Sequence, residues 1–330
     1  RIIPAAKGTD MDDKQDISSQ RDDGTSADEG RGISRRHFIQ AGAATAGVAA
    51  TAAALSPLRH LKDHMTAEEF LQGYYKEMTP QEKEAVLERI RREVEQQYGV
   101  RPNLTDPPPM DGVEFMYGLS IGRCIGCRRC VHACVKENNQ SRNPEIQYIR
   151  VLKMEKGTID VEHSHHHYRN ADSPDPTHYY MPVQCFQCAS PPCVEVCPVK
   201  ATWQQEDGIV VIDYNWCIGC RYCQAACPYW ARRFNFTQPG LSAEDINPDM
   251  AYFSNRPRKK GVMEKCTLCL HRTRRGQYPA CVEACPTGSR KFGNVLDPDS
   301  EISYILKNRR VFILKEEAGT QPRFFYYFDV

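Results

Sequence analysis

Cys217-Ile218-Gly219-Cys220-Arg221-Tyr222-Cys223-Gln224-Ala225-Ala226-Cys227-Pro228 decides how this 330-residue chain is read. Its spacing, C-x2-C-x2-C-x3-C-P, wraps a cubane 4Fe–4S cluster in thiolates. Three further tetrads flank it. Cys124, Cys127, Cys130 and Cys134 repeat the spacing, with Val135 in place of the proline. Cys185, Cys188, Cys193 and Cys197 have a wider middle gap and end on Pro198, and Cys266, Cys269, Cys281 and Cys285 end on Pro286. All 16 cysteines of the chain are used, which is the number four cubanes need.

The spacing has a physical reason. Two intervening residues let successive thiolates curl around one centre, and the fourth cysteine leads away on a short helix, which in two-cluster proteins brings it to the other cluster. A following proline stops that helix. Gly126 and Gly219 are expected where the backbone must come close enough to donate N–H groups to sulfur. A disulfide framework has no reason to repeat this pattern, and the cysteine share is below that of stapled scaffolds. Zinc favours isolated C-x2-C pairs mixed with histidine.

The segment between Cys197 and Cys217 reads as one β-hairpin, with Ala201–Gln204 and Ile209–Asp213 turning through Glu206, Asp207 and Gly208. The second and third tetrads therefore form one two-cluster module by exchange of fourth ligands. Cys185, Cys188, Cys193 and Cys227 hold one cluster, and Cys217, Cys220, Cys223 and Cys197 the other. The outer tetrads then pair across the chain, giving Cys124, Cys127, Cys130 with Cys285, and Cys266, Cys269, Cys281 with Cys134. The alternative pairs first with second and third with fourth, across intervening segments that are long for a hairpin. The fold class is α+β: two interleaved two-cluster modules with inserted loops, preceded by a helical arm.

The domain reading follows. Residues 1–58 form a disordered leader and signal, with Met11 a candidate true start; 59–109 a helical arm and proline-rich linker; 110–300 the double-module core with inserts 135–184 and 231–264; and 301–330 a helix/strand tail. Ser34-Arg35-Arg36-His37-Phe38-Ile39 matches the twin-arginine export pattern, and a mildly apolar run, Ala41–Leu55, follows it. A-x-A steps end at Ala52 and Ala54, so the signal is either cleaved or kept as an anchor. Export of a folded protein suits cofactors inserted before crossing. Metal of this kind supplies folding energy, so the core without iron is expected to be largely unfolded.

Thr79, Pro80 and Glu82 form a capping box with proline at the first helical position, within a helix expected over 66–99. Val86, Ile90, Val94 and Tyr98 give it one apolar stripe, for the protein's own core or for a partner. Ile146–Met154 and Thr158–Val161 read as a hairpin turning at Gly157. His163, His165, His166 and His167 read as a solvated loop ahead of a metal or haem contact. The run Arg256–Lys260 reads as surface. Arg123, Arg128, Arg129, Arg221, Lys265 and Arg272 track the ligands, either answering anionic clusters or forming a solvated surface. Trp203, Trp216 and Trp230 are expected to shield clusters from water. With net charge +1 and no basic stripe, nucleic acid is not an expected partner.

At the tetrads the chain resembles the four-cluster, ferredoxin-type electron-transfer subunits of the dimethyl sulfoxide and polysulfide reductase, formate-dependent nitrite reductase and hydrogenase-2 type membrane complexes. The resemblance rests on Cys124-Ile-Gly-Cys127, Cys185-Phe-Gln-Cys188-Ala-Ser-Pro-Pro-Cys193, the Cys217–Tyr229 run, Lys265-Cys266-Thr-Leu-Cys269 and Pro279-Ala-Cys281-Val-Glu-Ala-Cys285-Pro, and extends over about 112–330. It implies outer–outer and inner–inner pairing of tetrads. It also implies a polytopic quinone-binding membrane subunit and a catalytic partner, whether molybdopterin enzyme, hydrogenase or multi-haem cytochrome. No tetrad has lost a ligand, so four intact 4Fe–4S clusters are expected. The expectation is a subunit facing the periplasm that carries electrons between quinone and catalytic or cytochrome subunits, with no catalytic residue of its own. The rival readings are a free soluble polyferredoxin shuttle and a stand-alone enzyme; the latter lacks any nucleotide fingerprint.

Overall fold

A computed structural model describes residues 78–328. The leader, the twin-arginine motif, the apolar run behind it and the start of the expected arm lie outside the described residues. In chain order the helices are α1 (Pro80–Tyr98), α2 (Arg129–Glu137), α3 (Pro192–Glu195), α4 (Tyr222–Ala225), α5 (Leu270–Thr273), α6 (Ala280–Glu283) and α7 (Glu301–Asn308). The strands are β1 (Asn103–Thr105), β2 (Phe115–Ser120), β3 (Arg150–Glu155), β4 (His178–Val183), β5 (Thr202–Gln204), β6 (Val210–Ile212), β7 (Arg233–Phe234), β8 (Asp249–Ala251), β9 (Met263–Glu264), β10 (Arg290–Asn294), β11 (Val311–Phe312) and β12 (Phe324–Tyr327).

Helix α1 begins where its sequence dictates. The Thr79 hydroxyl accepts from the Glu82 N–H at 3.3 Å and the Glu82 carboxylate accepts from the Thr79 N–H at 2.8 Å, with Pro80 at the first position. It ends at Gly99, whose φ of 72° permits the left-handed cap. Leu87, Ile90, Val94 and Tyr98 are buried against Leu104, Ile246, Met250 and Tyr252. The stripe is thus spent on the protein's own fold, each aliphatic side chain contributing about 1.5–3 kcal/mol on burial.

The largest sheet orders β10-β2-β12-β11; β2 pairs antiparallel with β10 and parallel with β12, and β12 antiparallel with β11. Period-two alternation splits β2 and β12 between two cores. Tyr117, Leu119, Phe324 and Tyr326 face the main core, while Met116, Phe325 and Tyr327 face Ile302 and Ile305 of α7. Burial on both faces explains why β12 reads Phe-Phe-Tyr-Tyr rather than apolar–polar. The remaining strands pair in twos: β1 with β8 in parallel, and β3–β4, β5–β6 and β7–β9 antiparallel. The β5–β6 hairpin turns at Gly208, φ 81°.

Two expectations need correction. Strand β3 pairs with β4, not with Thr158–Val161. Gly157 does turn the chain, at φ 91°, but Thr158, Ile159 and Asp160 behind it are exposed and Val161 only half-buried, whereas β4 buries Tyr180, Met181 and Val183. The Arg256–Lys260 run is not all surface, because Arg256 and Arg258 are only 2% and 1% exposed. Arg258 donates to the Asn138 and Ser254 carbonyls at 2.5 and 2.6 Å, lies 3.3 Å from Glu264 and stacks over Tyr148 and Tyr214. Arg256 stacks on Tyr214 and Tyr252. Aromatic faces and carbonyls accept these charges where water would otherwise be needed.

Candidate metal centres

The third cysteine of every tetrad occupies the same place, the second residue of a helix: Cys130 in α2, Cys193 in α3, Cys223 in α4 and Cys281 in α6. The C-x2-C loops curl through left-handed residues. Gly126 and Arg128 have φ of 71° and 55°, and Gly219 and Arg221, their counterparts in the third tetrad, 71° and 65°. Such turns aim successive N–H groups inward, which suits anionic sulfur. The glycines are also sterically required. A Cβ on Gly126 would lie 2.3 Å from the Tyr180 ring, and one on Gly219 2.0 Å from the Gly261 carbonyl oxygen.

Helix α2 packs on α6 and α3 on α4, which brings thiols from different tetrads together. Cys124, Cys127, Cys130 and Cys285 line one cavity. Cys197, Cys217, Cys220 and Cys223 line another. Cys134 is buried beside Cys266, Cys269 and Cys281, and Cys188 beside Cys185, Cys193 and Cys227. Between these groups, Cys223 neighbours Cys193, Cys266 neighbours Cys185, and Cys130 neighbours Cys281.

Burial pushes the Cys124, Cys188 and Cys266 thiols up to about 12, with neighbouring thiols adding to the rise. Without metal these groups are neutral at pH 7, so binding iron must release their protons. Cys285 goes the other way. Burial raises it, but hydrogen bonds from the Thr287 hydroxyl and from the N–H groups of Arg290, Thr287 and Ser289 outweigh that and hold it low. Other donors also point at sulfur: Gln140 Nε2 lies 3.2 Å from Cys134 Sγ, Asn138 Nδ2 3.6 Å from both Cys134 and Cys269 Sγ, and the Tyr117 hydroxyl 3.4 Å from Cys281 Sγ.

The arrangement fits iron–sulfur clusters on more than its thiols. Arg232 donates to Cys193 Sγ at 2.9 Å, yet its Nε and Nη1, and Nη2 of Arg290, are buried without an acceptor. An anionic cluster held by the surrounding thiolates supplies what these donors need. Sequence reasoning misses Arg232 and Arg290, although their spacing behind a Cys-Pro step is there to be read. Lys265, expected from the sequence to accompany a ligand, is buried and donates to the Cys266 carbonyl at 2.6 Å.

Other expected features sit apart from the thiols or at their rim. His163 is exposed and paired with Asp160 at 3.0 Å. Burial and the charge of His167 hold His166 down to about 4. Trp203 meets Phe253 edge-on, while Trp216 and Trp230 keep more than a third of their surface exposed. Ile218 and Tyr222, flanking the exposed Cys220, project into solvent. At the opposite tetrad, Cys124 forms part of the wall of a cavity of about 780 Å3, lined also by Ile121, Ile125, Ile159, Met181 and Phe328. Among the described residues, no helix is long and apolar enough to cross a membrane.

Comparison with known proteins agrees with this chemistry. Two families described as 4Fe-4S dicluster domains match, one at residues 176–245 and 241–295 and the other at 123–201. A selenate reductase subunit of Mesobacillus selenatarsenatis is 34% identical over 309 residues, covering 90% of this chain and 98% of the relative. The Hdr-like menaquinol oxidoreductase iron–sulfur subunit 1 of Archaeoglobus fulgidus is 42% identical, covering 60% and 71%. A polysulfide reductase chain of Wolinella succinogenes is 35% identical, covering 61% and 87%.

Proposed function

Because this protein belongs to the 4Fe-4S dicluster family of iron–sulfur subunits, we propose that it is the electron-carrying subunit of a quinone-linked membrane oxidoreductase. It carries four 4Fe–4S clusters. The ligand sets are the crossed ones: Cys124, Cys127, Cys130 and Cys285; Cys266, Cys269, Cys281 and Cys134; Cys185, Cys188, Cys193 and Cys227; and Cys217, Cys220, Cys223 and Cys197. Two ferredoxin modules then interleave within residues 110–300, with the arm before them and the tail behind. When bound, each cluster supplies one-electron transfer with no bond made or broken.

The observation that carries this reading is the order in which the thiol sets neighbour one another. Cys223 adjoins Cys193, Cys185 adjoins Cys266, and Cys281 adjoins Cys130. The sets follow one another in a single line. Its middle is buried, with Gln187 Nε2 donating to the Cys266 carbonyl at 2.8 Å. Its two ends reach the surface, at Cys220 and at the cavity beside Cys124. A line with two open ends suits a carrier placed between two partners. These are a polytopic quinone-binding membrane subunit and a catalytic subunit, whether a molybdopterin enzyme, a hydrogenase or a multi-haem cytochrome. The twin-arginine motif, Ser34–Ile39, supports export, with the protein on the periplasmic face of the membrane.

Anaerobic purification of the native assembly in mild detergent, with metals counted per copy of this chain, tests the proposal. The expected result is a large assembly containing a membrane protein and about sixteen cluster iron from this subunit. Accompanying molybdenum or tungsten would identify a molybdopterin partner and nickel a hydrogenase. A free monomer from native extract would overturn the role.

A further inference from the structure

Two buried arginines hold equivalent places in the two halves of the site. Arg232 stands five residues after Cys227 and Arg290 five after Cys285, each behind a Cys-Pro step. Arg232 Nη2 donates to Cys193 Sγ at 2.9 Å and to the Thr202 hydroxyl at 3.1 Å, and Arg232 shares a cavity wall with Cys223. Arg290 Nη1 donates to the Tyr117 hydroxyl and to Gln184 Oε1, both at 2.8 Å, and Arg290 shares a cavity wall with Cys130. The same Tyr117 hydroxyl meets Cys281 Sγ at 3.4 Å. Cys193, Cys223, Cys130 and Cys281 are the third cysteines of the four tetrads. Each guanidinium therefore lies by the third thiols of both tetrads in one pair, bonded to one of them directly or through Tyr117 and sharing a cavity wall with the other.

Neither arginine has a carboxylate partner among the described residues. A guanidinium buried without a counter-charge is strongly unfavourable, and three of the donors on these two side chains are left without acceptors. The positions corresponding to Arg232 and Arg290 after the other two tetrads are Thr202 and Asn139, which carry no charge. Each pair of thiol sets thus has one buried guanidinium between its third thiols, while Lys265, also buried, stands at Cys266.

We propose that Arg232 and Arg290 are the shared counter-ions of the two cluster pairs, each raising the midpoint potentials of both clusters it lies between. The sign follows from charge. Reduction adds an electron to an already anionic cluster, and a fixed cation in a low-dielectric site favours the reduced form. The inference rests on the ligand sets proposed above. Lysine keeps the charge on a compact ammonium without the planar fork, so it is expected to preserve most of the potential but not the full set of contacts.

Redox titration followed by electron paramagnetic resonance tests this on the anaerobically purified full chain, with iron counted in each sample. Arg232→Gln is expected to lower two of the four midpoints by at least tenfold in the one-electron equilibrium, about 59 mV. Arg290→Gln is expected to lower the other two. Unmoved midpoints at full iron content would overturn the proposal, as would an equal shift of all four. Should a Gln variant lose iron, the matching Lys and Met variants decide. Midpoints restored toward wild type in the Lys variant relative to the neutral Met variant support the proposal, and equal midpoints in the Lys and Met variants overturn it. Wrong ligand sets would show differently: Arg232→Gln would still move two midpoints, but Cys197→Ser would abolish the component lost in Cys193→Ser rather than the one lost in Cys217→Ser.

Discussion

Replacing Gly219 by alanine tests how closely backbone must approach the third tetrad. Gly219 has a φ of 71°, and a left-handed conformation costs a residue with a Cβ roughly 1–2 kcal/mol. The new Cβ would also lie 2.0 Å from the Gly261 carbonyl oxygen and 3.1 Å from the Phe234 ring. An ordinary C···O approach is about 3.3 Å, so one of the two backbone segments must retreat by roughly 1 Å. Gly261 is not free to do so, since its N–H donates to the Asn235 carbonyl at 2.8 Å and the Asn235 N–H to Val262 at 3.0 Å. Weakening those two bonds costs about 0.5–1.5 kcal/mol each, and with the strain the total is about 2–5 kcal/mol. Two controls separate the contributions. Gly276 has a φ of 76° with open space around its would-be Cβ, so Gly276→Ala pays strain alone. Gly122 has open space and no positive φ, so Gly122→Ala is expected within about 0.5 kcal/mol of wild type. The assay is the rate of cluster loss in urea under anaerobic conditions, followed by bleaching of visible absorption. The expected order of rates is Gly122→Ala at the wild-type value, then Gly276→Ala, then Gly219→Ala fastest. Equal rates for Gly219→Ala and Gly276→Ala would refute the close-approach argument.

Three further outcomes follow from the packing. Asp207 is fully buried and takes Arg274 in a fork, Nε at 2.8 Å and Nη2 at 3.1 Å; Asp207→Ala should destabilise by about 3–5 kcal/mol in anaerobic urea unfolding, because it strands the arginine. Thr79→Ala removes the cap of α1 and should cost about 0.5–2 kcal/mol, visible as faster hydrogen exchange in α1 with the cluster core unchanged. Asp175 is held below the ordinary carboxylate range by hydrogen bonds from Lys153, Thr177 and His178. An acid with a depressed pKa contributes stability above its unfolded value and loses it as pH falls, so exchange protection of β3 and β4 should fall below about pH 4, and Asp175→Asn should flatten that dependence.

The tetrads were legible because their chemistry is local: the x2 spacing, the Cys-Pro stop and the Ile-Gly pairs before Cys127 and Cys220 all act within one turn of chain. The α1 cap and the β5–β6 hairpin were legible for the same reason. What escaped depends on distant partners. Strand β4 lies beyond a long loop from β3, and nothing local in Thr158–Val161 says that all but its last side chain stay exposed. Arg256 and Arg258 read as surface because charge normally means solvent, and the aromatic faces of Tyr148 and Tyr214 that receive them come from other segments. Arg232 and Arg290 sit within a repeated Cys-Pro-x-x-x-Arg spacing, but their burial against thiols of a second tetrad is a tertiary fact.

The crossed ligand assignment is the centre of the account, and three single substitutions test it directly by electron paramagnetic resonance of the reduced, anaerobically purified chain. Cys285→Ser and Cys124→Ser are expected to abolish the same cluster component, and Cys266→Ser a different one. If Cys285→Ser instead removed the component lost in Cys266→Ser and left that of Cys124 intact, each tetrad would hold its own cluster and the crossed wire would be wrong.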